Sequence, residues 1–323
     1  MNEWYLSCDV GGTNARFAVI NPKTMALDHV ANFQSTDFYT FEHVVKHFLK
    51  DIERTNSYQK FPSKSSLGIA GDVTGENIGF TNTQWTISKR NVSELLQSNE
   101  VLFVNDFTAC AASIPLLSEN DFVKIGGGDS LPLSPISVLG PGTGFGIATV
   151  AYTNTNNSVI IPGEGGHADF APTDETQLLI SNYLASKYDR ISNERLLSGK
   201  GLLNIYEALS NIRSTPTKFR TAIDIGVAAL RGNDPICVET FEIFFAILGS
   251  AAGNHALAVG SQGGVYIAGG IAPAYLDLLR KSQFREKFMA KGRMANYLRS
   301  IPTYVITHKN PGLIGASSLL SKD

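Results

Sequence analysis

Apolar residues fall into two recurring patterns along the chain. Short runs rich in aromatic and β-branched residues occupy positions 4–8 and 17–20, and a third lies near 26–33, so each reads as a strand. Residues 40–54 change period: Phe41, Val44, Val45, Phe48, Leu49 and Ile52 recur at helical spacing and predict one buried face. Continuous apolar runs at 66–70 and 101–104 predict buried central strands. Ser88 starts a helix with Val92, Leu95 and Leu96 inward, and a further helix follows from Asp106 and ends around Pro115. Three strands, then alternating helix and strand, predict a mixed α/β sheet. A second succession begins at Ile136. It has three strands to about residue 161, a mostly helical stretch from 174 to 255, strands at 265–268 and 304–306, and a last helix opened by Asn310-Pro311-Gly312.

The two successions share a motif. Asp9-Val10-Gly11-Gly12-Thr13-Asn14-Ala15-Arg16 lies between the first two strands, and residues 139–150 align with residues 9–20 at a constant offset. Gly142 falls on Gly12, Thr143 on Thr13 and Ala148 on Ala18. Repetition of a strand, a Gly-Thr turn and a strand predicts a duplicated domain. The Gly11-Gly12 pair is expected to supply a turn with φ > 0 and to let backbone amides face an anion closely. Asp9 beside such a turn suggests a metal-bridged phosphate, since two bare negative charges repel. An ordinary hairpin turn is the simpler reading of either copy alone.

Composition narrows the classes. A chain of 323 residues fits two domains, and a hydrophobic content of 43% supports sizeable cores. A net charge of −2 leaves no basic footprint for nucleic acid. Cys8, Cys110 and Cys237 are widely spaced and include no CxxC pair, so neither a disulfide framework nor a cysteine zinc site is expected. No secretory signal pattern opens the chain, and the most apolar helix, around 241–259, is broken by Glu242, Ser250, Asn254 and His255. A buried helix, no membrane association and a cytoplasmic location are expected.

Asn105-Asp106 ends a strand and opens a helix, where open α/β sheets bind ligands; Asp106 suits either a general base or a helix cap. Residues 81–85 contribute Asn82 and an aromatic platform, Trp85, or form only a polar loop. The glycine-rich run at 162–172 places Glu164 near His167, and Glu194 precedes the turn at Ser198-Gly199. Each has a plainer alternative: a structural histidine, or a solvated helix end. Walker A and G-x-G-x-x-G patterns are absent, which weakens P-loop and dinucleotide-fold readings.

Taken in order, Asp9-Val-Gly-Gly-Thr-Asn, Asn105-Asp106-Phe107-Thr108-Ala109, Gly142-Thr143-Gly144, Glu164-Gly-Gly-His167, Glu194-Arg-x-Leu-Ser-Gly199, Ala268-Gly269-Gly270 and the ending Asn310-Pro-Gly-Leu-Ile-Gly resemble the bacterial-type glucokinase family over nearly the whole chain. The resemblance implies two ribonuclease-H-like domains of the actin-like ATPase superfamily, at 1–116 plus 308–323 and at 117–307, with an interdomain cleft. It implies phosphoryl transfer from MgATP to the 6-hydroxyl of glucose, with Asp106 as general base. Asn82, Asn105, Asp106, Glu164, His167 and Glu194 would bind the sugar. Asp9, Gly11, Gly12, Thr13 and Asn14 would form one phosphate loop, and Gly142, Thr143 and Gly144 a second. Gly269 and Gly270 would lie by the adenosine. Asp9 would reach Mg²⁺ through water, zinc would be absent, and the protein would be a homodimer. Pro141 departs from the small residue expected in the second loop. A kinase for fructose, mannose or an amino sugar is the nearer alternative, and a sugar-sensing regulator on the same fold the more distant one.

Overall fold

The structure is a computed structural model and describes residues 1–80, 85–153 and 157–321. The chain divides into two compact units, Met1–Ser118 with His308–Asp323, and Glu119–Thr307.

In the first unit, β1 (Tyr5–Val10), β2 (Asn14–Ile20), β3 (Leu27–Gln34), β4 (Lys64–Ile69) and β7 (Glu100–Asn105) form a sheet of order β3-β2-β1-β4-β7. A small hairpin of β5 (Asn77–Gly79) and β6 (Thr86–Ser88) stands apart from it. β1 pairs antiparallel with β2 and parallel with β4, and β4 pairs parallel with β7. The first helix, α1 (Phe41–Arg54), buries the six apolar residues that its spacing singles out, and Thr40 caps it. Helix α2 (Lys89–Leu96) is capped by Ser88 and buries Val92 and Leu96. Helix α3 (Asp106–Ser113) passes into a 3₁₀ turn that contains Pro115. The C-terminal helix, Pro311–Ser318, packs on α3 and β1.

The second unit repeats the topology. Its sheet has the order β11-β10-β9-β12-β13-β8, built from β8 (Phe122–Gly126), β9 (Ile136–Pro141), β10 (Phe145–Tyr152), β11 (Ser158–Gly163), β12 (Gly264–Ile267) and β13 (Thr303–Ile306). The first three strands of this repeat, β9, β10 and β11, are antiparallel, and β12 and β13 run parallel with β9. The duplication is therefore visible in strand order. Strand β8 is an addition with no counterpart in the first unit, and it pairs antiparallel with β13.

Between β11 and β12 lie α4 (Glu175–Ala185), α5 (Gly199–Ile212), α6 (Ala222–Arg231) and α7 (Pro235–Val259). By length and composition α7 is apolar enough to cross a membrane. Here it is the central core helix of its unit, with Phe241, Phe244, Phe245, Ile247 and Leu248 fully or almost fully buried.

The start of α7 is set by Asp234, whose carboxylate accepts the amides of Ile236 and Cys237 and pairs with Lys218 at 3.1 Å. Burial opposes ionisation of Asp234, but the two amides and the Lys218 ammonium outweigh it and hold the carboxyl below its usual range. A carboxyl lowered by folding stabilises the fold above its unfolded pKa, and this contribution is lost as pH falls through the folded value. Asp234→Ala is expected to cost about 1–2 kcal/mol at neutral pH. Denaturant titrations at a series of pH values should show the gap to wild type closing below a pH of about 4.

Candidate active site

The first unit offers a turn and a strand end. Gly11 N–H donates to the Asn14 carbonyl at 2.9 Å, which closes a tight turn over Gly12 and Thr13. Neither Gly11 nor Gly12 has a positive φ, contrary to the sequence expectation, and a Cβ on Gly11 would make only an ordinary contact, 3.6 Å from the Asn14 carbonyl oxygen. Ser35, at the end of β3, was not foreseen. Its Oγ–H donates to the Gly12 carbonyl at 3.0 Å and its N–H to the Thr13 carbonyl at 2.9 Å. Both carbonyls of the turn are thus tied back to one residue. Asn14 begins β2, and its Oδ1 accepts from Gln34.

Asp9 lies opposite Arg16 across the β1–β2 pair, with Arg16 Nη1 3.0 Å from Asp9 Oδ2. Burial pushes the Asp9 carboxyl up from its ordinary value, while Arg16 draws it back down. A Cβ on Gly312 would lie 2.8 Å from the Asp9 carboxyl carbon, so the first turn of the C-terminal helix rests directly on this carboxylate.

At the end of β7 the helix cap falls to the residue before Asp106. Asn105 is the N-cap of α3: its Oδ1 accepts the amides of Phe107 and Thr108 at 2.9 and 3.2 Å. Asp106 is the first helical residue, with Oδ1 2.9 Å from the Phe107 amide. Asn82 lies outside the described residues. Trp85 is no platform. It is buried against Phe41, with ring centroids 5.9 Å apart, and its Nε1–H donates to the Phe38 carbonyl.

The second unit gathers its candidates around Phe145. Glu194 Oε2 accepts the Phe145 amide at 2.9 Å, and a Cβ on Gly144 would lie 2.6 Å from that same oxygen. Gly166 lies so close to the Phe145 carbonyl that a Cβ would stand 2.0 Å from it. Gly165–His167 forms a single 3₁₀ turn, and the exposed Glu164 and His167 approach to 3.9 Å between Oε2 and Nε2. The Asn193 amide donates to the Ala168 carbonyl and the Phe170 amide to the Ile191 carbonyl, so the Glu164–His167 and Glu194 segments are laced together. Arg190, also not foreseen, binds the Asp169 carboxylate and the His167 carbonyl.

The Gly142-Thr143-Gly144 turn is closed by Gly142 N–H to the Gly144 carbonyl at 2.8 Å, and the Gly142 carbonyl accepts from Gly199 N–H at 2.9 Å. Pro141 ends strand β9 opposite Phe145 and does not enter the turn. The copies are not aligned at a constant offset. Val10 pairs with Ala15 in the first hairpin and Pro141 with Phe145 in the second, so the second turn is one residue shorter. Gly269, with φ +79°, packs against the Pro141 carbonyl, and Gly270 opens on free space. Among the described residues, no group of three or more His, Cys, Asp or Glu is close enough to hold a metal.

Two sheets of one topology, each with a glycine turn at the tip of its first hairpin, give the chain the two-domain actin-like ATPase fold. The crystal structure of glucokinase from an Antarctic psychrotroph matches over the whole of both chains, with a TM-score of 0.84 and 32% identity. That of Balamuthia mandrillaris glucokinase in complex with glucose matches with a TM-score of 0.82 at 19% identity, over 98% of this chain and 93% of its own, a likeness of fold. A glucokinase of Colwellia psychrerythraea is 42% identical over 322 residues, which is 98% of this chain and 96% of that one. The glucokinase family model matches residues 6–323. The chain belongs to the glucokinase family, kinases that phosphorylate glucose.

Removing the Ser35 hydroxyl tests the reading of the first turn. Ser35→Ala is expected to raise KM for the phosphate donor about five- to tenfold, the worth of one lost hydrogen bond, and to leave KM for glucose unchanged. Steady-state kinetics in both substrates would measure it.

Proposed function

We propose that the protein transfers the γ-phosphoryl group of MgATP to the 6-hydroxyl of glucose, with Asp106 as general base. The observation that carries the assignment is the cap of α3. Asn105 is the N-cap of α3, so the cap does not depend on Asp106, whose Oδ1 also lies 2.9 Å from the Phe107 amide and which sits at a strand end, where open α/β sheets bind ligands. Such transfers proceed through a loose transition state, so alignment and charge neutralisation do most of the work. Asp106 accepts the hydroxyl proton. The amide edges of the 11–14 and 142–144 turns hold the polyphosphate. Glu164, His167 and Glu194 hold sugar hydroxyls, together with Asn105 and Asn82, and Gly269 and Gly270 border the adenosine.

Asp9 fits magnesium: it is a hard oxygen donor, and a single carboxylate suits an ion that keeps its waters and takes the rest of its shell from phosphates. When bound, the ion neutralises charge on the polyphosphate. Arg16 holds the carboxylate in place through Oδ2. The three cysteines are free and buried, in keeping with a thiol-reducing cytoplasm as the place of the reaction. A homodimer is the assembly that the family resemblance implies.

Product analysis by NMR tests the reaction: glucose 6-phosphate is expected, and phosphate on another hydroxyl, or good transfer only to a different sugar, would refute it. Asp106→Asn keeps the Asn105 cap and should fold normally while turnover drops about 10²–10⁴-fold. Near-normal turnover would remove Asp106 from the chemistry.

Sugar choice gives a separate test. Polar groups left unpaired by an inverted or missing hydroxyl cost about 1–3 kcal/mol each, so mannose and 2-deoxyglucose should be poorer substrates than glucose. His167→Ala is expected to weaken glucose use and to narrow the glucose-to-mannose ratio of kcat/KM. An equal loss on all three sugars would mean that His167 only braces its own turn.

A further inference from the structure

The turn that carries Glu164 and His167 is held from both ends. At its glycine end Gly166 is pressed on the Phe145 carbonyl and Gly165 on the Ile147 side chain, each too closely for a Cβ to fit without a shift. At its other end the chain extends from Ala168 and runs antiparallel to residues 191–193. Asp169 stands opposite Ser192 there. The Asn193 amide donates to the Ala168 carbonyl at 2.9 Å, and the Phe170 amide donates to the Ile191 carbonyl at 3.0 Å. The His167 carbonyl lies just outside this short ladder and accepts from Arg190 Nη2. The Nε of the same guanidinium donates to Asp169 Oδ1 at 2.5 Å.

The segment that presents Arg190 is anchored in its unit. Tyr188 and Ile191 pack against the apolar core. The Tyr188 hydroxyl donates to Oδ1 of the buried Asn204 at 3.2 Å, and Asn204 Nδ2 donates to the Arg195 carbonyl at 2.8 Å. The Arg195 guanidinium closes the segment on itself, 4.1 Å from the centre of the Tyr188 ring. Residues 188–195 are therefore fixed at both ends, with Arg190 near one of them.

We propose that Arg190 is a positioning residue for glucose. Presented from this fixed segment, its guanidinium ties the His167 carbonyl to the Asp169 carboxylate and so sets where the Glu164 and His167 side chains stand. This rests on the reading of Glu164 and His167 as sugar contacts. The two side chains are exposed and come only within 3.9 Å of each other, too far for a hydrogen bond, so the backbone of the turn has to orient them. A planar fork with donors at fixed angles can hold a carbonyl and a carboxylate at once, which a lysine ammonium on a flexible stem does less well. The Arg190 and Asp169 side chains are 57% and 79% exposed, and ion pairs this exposed contribute little to folding. The clamp acts on the geometry of the turn and not on the stability of the unit.

Glucose titrations by calorimetry without nucleotide, together with steady-state kinetics, test this. Arg190→Ala is expected to raise Kd and KM for glucose about five- to tenfold, as for one lost hydrogen bond, and to leave kcat and KM for the phosphate donor unchanged. Arg190→Lys should recover part of the loss. Asp169→Ala, which frees the guanidinium from its anchor, should weaken glucose binding in the same direction by less. Added to His167→Ala, Arg190→Ala should cost less than it does in the wild type, because both act on one group. Thermal melts of Arg190→Ala should match wild type; if that variant does not fold, Arg190→Lys and Asp169→Ala decide. Unchanged glucose binding in Arg190→Ala while His167→Ala weakens it, a loss in kcat without a change in KM, or full additivity in the double variant would overturn the proposal alone. If His167→Ala leaves glucose binding unchanged, the reading of His167 as a sugar contact falls, and the proposal with it.

Discussion

The last helix of the chain lies against α3 with no room for a side chain between them: a Cβ on Gly315 would stand 1.6 Å from the Ala109 carbonyl oxygen. Three residues earlier, on the same face, Gly312 rests on the Asp9 carboxylate, and the Leu313 carbonyl accepts from the Ser7 hydroxyl at 2.8 Å. One helix therefore sets the position of two carboxylate-bearing segments, the end of β1 and the start of α3. The contact works only because both touching positions are glycine, since interiors this tightly packed yield little to an added methyl group. The first unit thus joins residues some three hundred positions apart around its two acids.

In the second unit the corresponding role falls to a single peptide group. The amide of Phe145 is held by Glu194, and its carbonyl is covered by Gly166. Residues read from the sequence as sugar contacts are in this way bonded to the turn read as a phosphate loop. The Gly199 amide adds a third tie, to the Gly142 carbonyl. The two kinds of site are parts of one hydrogen-bonded assembly within the unit, so a change in the geometry of one is felt by the other.

Much of the fold is legible in the pattern of residues because it rests on local rules. Helix α1 follows its apolar spacing residue by residue, and the repeated Gly-Thr turn announces two sheets of one topology. What escapes the pattern has tertiary causes. Strand β8 is short, and its pairing with β13 links segments about 180 residues apart. Trp85 follows a polar run and reads as a platform, yet the cavity beside Phe41 takes it into the core. Ser35 and Arg190 carry no motif; they matter because of the carbonyls that the fold brings to them.

By itself the sequence determined the family and the duplicated topology, because glycine turns, caps and apolar periods act over a few residues. Only the tertiary structure decided how those residues are used. It made Asn105 the cap of α3, shortened the second glycine turn by one residue, and bound Glu194 to the Phe145 amide. Each of these depends on which backbone groups still need a hydrogen-bond partner once the sheets and helices have packed, and no local stretch of chain specifies that.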